Sequence, residues 1–355
     1  MSDPSAGALL VTGAAGFIGS ALVRRLRRRW PARPIVALDA LTYAGDRQNL
    51  SPFDDDPAFA FVEADVTDRA AMQAVFAAHR PAVVFHLAAE THVDRSILDP
   101  LAFVRTNVEG TAALLHAARQ TWKDRRDARF VMVSTDEVYG ALGPTGAFRP
   151  DSPLDPSSPY SASKAGADLL ALAWHRTYGL PVVVTRCSNN YGPRQFPEKL
   201  IPVVVGRALA DEAVPVYGTG DNVRDWIHVD DHADGLIAAA EQGAPGAVYC
   251  FGADNEQKNL DLVQRILDAV DEATGREVGR GRALVRFVTD RPGHDFRYAI
   301  DARSTREALG WAPRVDFAAG LAETVRWFID HADWCRRRRA AAKRFEEAWY
   351  TEAGR

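Results

Sequence analysis

Short apolar runs alternate with longer amphipathic stretches over the first half of the chain. Ala8–Thr12, Pro34–Asp39, Phe59–Glu63, Ala82–Leu87, Arg129–Ser134 and Pro181–Arg186 are rich in Val, Phe and Leu and read as strands. Between them, Phe17–Arg29, Asp68–His79 and Leu101–Thr121 carry apolar residues at helical spacing. Near-continuous apolar strands alternating with helices predict a doubly wound α/β fold, a parallel sheet covered on both faces. The texture changes after about Asn189. Pro193, Pro197, Pro202 and Pro215 punctuate the chain, and Gly218-Thr219-Gly220-Asp221 reads as a turn. Helices are expected near Asp230–Gln242, Asn259–Thr274 and Phe317–His331, with strands near Ala247–Phe251 and Ala283–Val288. This pattern divides the chain into a sheet domain (1–188), a smaller lobe (189–335) from which an element could return to the first domain, and a charged tail (336–355) expected as a surface helix.

A chain of 355 residues is long for one core, so one large or two intimate domains are expected. With 47% hydrophobic and 25% charged residues, the composition is that of an ordinary soluble globular protein. A formal net charge of -4 gives no reason to expect a nucleic-acid or acidic-membrane partner. The basic runs Arg24–Arg29 and Arg336–Arg339 read as solvated helix faces, and Asp54-Asp55-Asp56 reads as a loop. Cys187, Cys250 and Cys335 are widely spaced and odd in number. They form neither a zinc spacing nor a disulfide framework, so no metal is expected and a reducing, cytoplasmic location is. The start, Met1 to Gly7, is polar and unlike a signal peptide, and no apolar run approaches the ~18 residues of a membrane span. The chain has no internal repeat.

The first candidate chemistry follows the first strand. Val11-Thr12-Gly13-Ala14-Ala15-Gly16-Phe17-Ile18-Gly19 has glycines spaced G-x-x-G-x-x-G and opens a helix. Glycines there permit a tight turn and let the backbone approach a pyrophosphate, whose charge a helix N-terminus favours. Gly13, Gly16, Phe17, Ile18 and Gly19 are therefore candidates to hold a dinucleotide in a Rossmann-type fold. Asp39 ends the second strand 20 residues after Gly19. A carboxylate there accepts hydrogen bonds from the adenosine ribose and repels a 2′-phosphate, which points to NAD. Asp65 and Val66 could bracket the adenine, though Asp65 reads equally well as a loop cap. Leu87, Ala88 and Ala89 are small or apolar residues at the end of the fourth strand, where a cofactor would pass.

The second candidate is catalytic. Tyr160 and Lys164 are four apart at the start of a helix, hence on one face. A lysine cation beside an oxidised nicotinamide would favour a tyrosinate. Thr135, Asp136 and Glu137 end the fifth strand within Ser134-Thr-Asp-Glu-Val-Tyr-Gly140, at the strand edge where open α/β sheets bind ligands.

Dispersed motifs extend this reading almost end to end. They include T-G-A-A-G-F-I-G-S from Thr12, L-T-Y-A-G from Leu41, H-L-A-A-E-T-H-V-D-R-S from His86, S-T-D-E-V-Y-G from Ser134 and S-P-Y-S-A-S-K-A from Ser158. S-N-N-Y-G-P from Ser188, P-E-K-L-I-P from Pro197, R-D-W-I-H-V-D-D-H-A from Arg224 and R-P-G-H-D from Arg291 follow in order. The chain resembles the extended short-chain dehydrogenase/reductases, and among them the nucleotide-sugar 4,6-dehydratases typified by the dTDP-glucose enzymes.

The resemblance implies an NAD-dependent hydro-lyase, a homodimer built on the helix carrying Tyr160 and its neighbour, and a nucleoside-diphosphate hexose as substrate. Tyr160 would take the C4 hydroxyl proton, Glu137 the C5 proton, and Asp136 would protonate the departing C6 hydroxyl. Related 4-epimerases carry small residues in place of the carboxylate pair, and decarboxylases keep the glutamate alone. Asn189, Glu198, Lys199, Arg224, Asn259, Arg291 and His294 are implied substrate contacts, with His92 at the sugar's border. Arg194, Thr91 and Cys250-Phe251-Gly252-Ala253 depart from the family pattern, which leaves the nucleotide and sugar preference open. A UDP-sugar dehydratase, a 4-epimerase and a catalytically silent NAD-binding protein are the alternative readings.

Overall fold

The computed structural model describes residues 7–123, 125, 127–290 and 293–340. Its strands, in chain order, are β1 (Leu9–Thr12), β2 (Ile35–Asp39), β3 (Phe59–Glu63), β4 (Val83–His86), β5 (Arg129–Thr135), β6 (Val182–Cys187), β7 (Asn189–Tyr191), β8 (Val214–Tyr217), β9 (Val223–His228), β10 (Val248–Phe251), β11 (Glu256–Lys258) and β12 (Val285–Val288). Seven of these form one parallel sheet in the order β10-β6-β5-β4-β1-β2-β3. This is the expected α/β, Rossmann-type sheet. Strand order reverses between β1 and β4, so a crevice opens there beyond the carboxyl ends of the strands.

Alternation along each strand builds two cores. Leu9, Val11, Val131 and Val133 pack with Leu22, Leu26 and Leu236 of the helices Phe17–Arg29 and Val229–Gln242. Leu10, Phe130 and Met132 pack on the other side with Leu114, Leu115 and Ala167 of the helices Gly110–Thr121 and Pro159–Tyr178. Each such side chain stabilises the fold by about 1.5–3 kcal/mol through removal from water. Although late in the chain, β10 and the helix Val229–Gln242 sit with this sheet.

A smaller layer covers the crevice. It combines the three-stranded sheet β11-β9-β7, the pair β12-β8, and the helices Leu200–Leu209, Asn259–Ala273 and Phe317–Asp330. Ile201, Val204, Trp226, Leu262, Ile266 and Phe328 form its core. β7, β8, β9 and the helix Leu200–Leu209 were not legible in the sequence. The strands are short and mix polar with apolar residues, and prolines mask the helix. Pro202 lies in that helix's first turn, where a backbone N–H has no intrahelical partner to lose.

The stretch expected as one helix over Leu101–Thr121 is divided. A π-helical turn, Val104–Glu109, separates Pro100–Phe103 from Gly110–Thr121. The basic runs are also not simply solvated. Burial lowers Arg24 to about 10, and Arg27 donates to the carbonyls of Pro31, Arg33 and Ala58. Arg338 is anchored to the loop after β2. The tail is helical over 332–340, and its remainder lies outside the described residues. No helix among the described residues is long and apolar enough to cross a membrane.

Candidate active site

Two adjoining cavities occupy the crevice. The first runs from the glycine loop across the sheet edge to the end of β5, and the second lies beneath the smaller layer. They share Thr91, Glu137, Asn189, Glu198 and Lys199, so what enters one meets what enters the other.

The glycine loop forms one wall of the first cavity. Gly13 has φ +67°, and a Cβ on it would stand 2.7 Å from the Ala88 nitrogen. A Cβ on Gly19 would stand 2.1 Å from the Gly13 oxygen. Only glycine lets the β1 turn, the end of β4 and the following helix close together. Gly16 caps the helix Phe17–Arg29 without a side-chain hydrogen bond, and the start of this helix borders the cavity, where a helix N-terminus favours a pyrophosphate. Gly16, Phe17 and Ile18 line it as well.

Asp39 also lines this cavity. Its Oδ2 accepts from the Ala15 amide at 2.9 Å and its Oδ1 from Leu41 N at 2.8 Å. Burial raises its pKa. Asp65 accepts from Thr67 N at 2.8 Å, so it is a loop cap and a wall residue together. Val66, Leu87, Ala88 and Ala89 complete the lining, with Thr12 Oγ1 accepting from both Leu87 N and Ala88 N. The donor set, the glycine cradle and the acidic end of β2 fit NAD.

The catalytic candidates stand at the junction of the cavities. Ser158 and Ser161 form a reciprocal capping box, with Pro159 opening the helix Pro159–Tyr178. This start fixes Tyr160 and Lys164 one turn apart on the same wall. Lys164 Nζ donates to Val133 O at 2.8 Å. Tyr160 hydrogen-bonds with Thr135, while burial and then the Glu137 carboxylate push its pKa well up. That is opposite to the shift anticipated from Lys164, whose own pKa burial lowers.

Asp136 and Glu137 lie on a 3-10 turn, Asp136–Tyr139, directly after β5, with Thr135 Oγ1 accepting from Glu137 N at 3.3 Å. Asp136 is buried, and its Oδ2 has no hydrogen-bond partner among the described residues. Burial, then Glu137, then Asp225 raise its pKa well above the carboxylate range. A carboxyl group whose neutral form is favoured therefore stands next to a second carboxyl group, an arrangement that can separate acid from base work. His86 is neutral: burial lowers it to about 3, and it bridges Thr12 and Thr111.

The second cavity gathers most of the expected substrate residues. His92, Asn189, Glu198, Lys199, Arg224, Asn259 and His294 line it. Arg291 lies outside the described residues. Lys199 donates to Thr91 O at 3.0 Å, and His294 pairs with Asp290 at 2.6 Å. Arg224, expected to grip a diphosphate with its planar fork, donates to Val223 O at 2.8 Å and Asp295 O at 2.9 Å. It stacks 4.4 Å over the Tyr298 ring, so it fixes the wall of the cavity.

A family profile described as GDP-mannose 4,6 dehydratase matches residues 10–324. The chain belongs to this family. It is 48% identical over 340 residues to dTDP-glucose 4,6-dehydratase 1 of Escherichia coli K12, covering 92% of this chain and 94% of that one. A dTDP-glucose 4,6-dehydratase of Streptomyces venezuelae, DesIV, solved with NAD and dTDP bound, is 45% identical and superposes with a TM-score of 0.85 over 92% of this chain and 98% of its own. The UDP-glucose 4-epimerase of Thermotoga maritima shares the fold at 29% identity, with a TM-score of 0.80 over 92% and 99%.

Within this family frame, two of the departures face away from both cavities. Arg194 takes a left-handed conformation, φ +70°, and places its guanidinium 5.5 Å over Trp327. Cys250 is buried with Sγ 3.3 Å from Tyr139 Oη. Thr91 alone lines both cavities. One wall residue, Tyr298, and one supporting residue behind the wall, Asn107, were not anticipated. Tyr298 comes from R-Y-A-I-D, shortly after R-P-G-H-D, and its pKa is raised by burial and by Glu137. Asn107, on the π turn, accepts from Glu90 N at 2.8 Å and donates to Glu90 O and Ser163 Oγ at 3.0 and 2.8 Å. The turn thereby ties the end of β4 to the Tyr160 helix.

Proposed function

We propose that the protein is a hydro-lyase that converts a nucleoside-diphosphate hexose, dTDP-glucose, into its 4-keto-6-deoxy derivative. The observation that carries this reading is the buried Asp136, its carboxyl pushed toward the neutral form, beside Glu137 and Tyr160 where the two cavities meet. The dTDP-glucose dehydratases at 45–48% identity support the choice of substrate.

Gly13, Gly16, Gly19 and Asp39 would hold NAD, which when bound would supply hydride acceptance at C4 and hydride return at C6. Tyr160 takes the C4 hydroxyl proton, with Thr135 orienting that oxygen and Lys164 contributing positive charge near the phenol. Oxidation comes first for a physical reason: the C5–H bond is too weakly acidic for a carboxylate until C4 is a ketone. Glu137 then removes the C5 proton. Asp136 gives its proton to the C6 hydroxyl, which departs as water, and C5 regains a proton at the end. Asn189 and Glu198 hold the sugar ring, and Lys199, Asn259 and His294 the nucleotide.

Residues 1–188 carry the cofactor and catalytic groups in this reading, and residues 189–335 mainly the nucleotide sugar. A homodimer is part of it, because Leu101, Val104 and Leu169 are 71%, 49% and 58% exposed on neighbouring helical segments. A cytoplasmic location suits the three unpaired thiols.

Mass spectrometry of purified protein incubated with dTDP-glucose or UDP-glucose tests the function. A dTDP-sugar product lighter by one water is expected. A product of unchanged mass would indicate epimerisation instead, and no product a silent binder.

A further inference from the structure

The loop after β2 crosses the mouth of the cofactor cavity, which Thr42, Ala44 and Gly45 line. It is not at rest by local preference. Leu41 sits at φ +49°, a left-handed conformation that a branched residue adopts only when its surroundings impose it. The Asp39 carboxylate holds Leu41 N at 2.8 Å, and Asp46 N donates to Ala15 O of the glycine loop at 3.1 Å.

The outer side of the loop is held from the far end of the chain. Arg338 donates to Tyr43 O at 2.8 Å and Gly45 O at 2.9 Å. Its guanidinium also lies 5.1 Å over the ring of Phe196, which lines the opposite wall of the same cavity. Four residues earlier on the same helical face, buried Trp334 donates its indole N–H to Asp46 Oδ2 at 2.9 Å. Inside the loop, the Tyr43 ring packs edge-on against Phe196 at 5.5 Å and its hydroxyl donates to Glu198 at 3.1 Å. One cation therefore joins both lips of the cavity, and opening it means breaking these bonds together.

We propose that Arg338 and Trp334 are positioning residues that clasp the loop 40–46 over the cofactor cavity and set how long NAD is retained. The inference rests on the NAD reading of that cavity. A dehydration that leaves its cofactor in the starting redox state has no need to exchange it, so a closed clasp is compatible with turnover.

The test is NAD content per chain, measured by chromatography of the nucleotide released after extensive gel filtration in NAD-free buffer. Wild type is expected to keep its NAD. Arg338→Ala should lose it about tenfold faster or more, each lost hydrogen bond counting for roughly that factor. Saturating NAD should restore its kcat, so the defect appears in the NAD requirement and not in the chemistry. Trp334→Phe keeps the packing but removes the N–H, and should fall between the two. Arg338→Lys, with one compact ammonium unable to span both carbonyls, should also release NAD faster. Retention equal to wild type in Arg338→Ala and Arg338→Lys would overturn the clasp alone. So would activity that added NAD cannot restore in both. A wild-type chain that neither keeps nor binds added NAD would refute the cofactor reading, and the clasp with it.

Discussion

Asp136 and Glu137 are neighbours in sequence whose surroundings differ, and the proposed division of labour follows from that difference. Asp136 is buried at the cavity wall, its Oδ2 has no donor among the described residues, and burial with the adjacent Glu137 favours its neutral form. A raised pKa keeps the proton on the carboxyl to higher pH, and deprotonation removes it as pH rises further. Turnover is therefore expected to fall on the alkaline side as Asp136 loses its proton. Asp136→Asn, with no proton to transfer, should cut turnover by roughly a hundredfold or more and abolish that limb of the pH–rate profile. An unchanged alkaline limb in the variant would remove Asp136 from the acid role. Residues of this kind were legible because they sit in contiguous motifs at strand and helix ends. Tyr298 in the wall and Asn107 behind it were not, since their places depend on tertiary packing that local spacing does not encode. Arg338 was misread for the same reason: an arginine in a basic run looks solvated until its partners, nearly 300 residues earlier, fold against it.

At the scale of elements, six apolar strands and the amphipathic helices between them were legible because burial on both faces leaves nearly uninterrupted Val, Leu and Phe runs. The smaller layer was read less completely, since β7 and β11 have three residues each and show no periodicity. The π turn was invisible, being a register shift within an otherwise helical pattern. The short helix before it, Pro100–Phe103, and the neighbouring helix Pro159–Tyr178 together leave an apolar face uncovered. Leu101 and Leu169 lie on that face, and burying each against a second copy would contribute about 2 kcal/mol. Changing both to Asp is expected to shift the protein from twice the chain mass to the chain mass in light scattering. A variant that keeps the dimer mass would place the interface elsewhere.

The whole molecule brings together what neither part holds alone. The parallel sheet delivers the glycine loop, the carboxylate turn and the Tyr160 helix to one edge, and the smaller layer closes over them with Lys199, Asn259 and Tyr298. Oxidation at C4 and elimination across C5–C6 are expected to be separable steps run by different side chains in this one crevice. The most direct test is the reduced-nicotinamide absorbance of Glu137→Gln, loaded with NAD, after mixing with dTDP-glucose. The account predicts a rise that approaches one reduced cofactor per site and persists, because C4 is oxidised and the C5 proton stays in place. Wild-type turnover with no accumulation of reduced cofactor would contradict it.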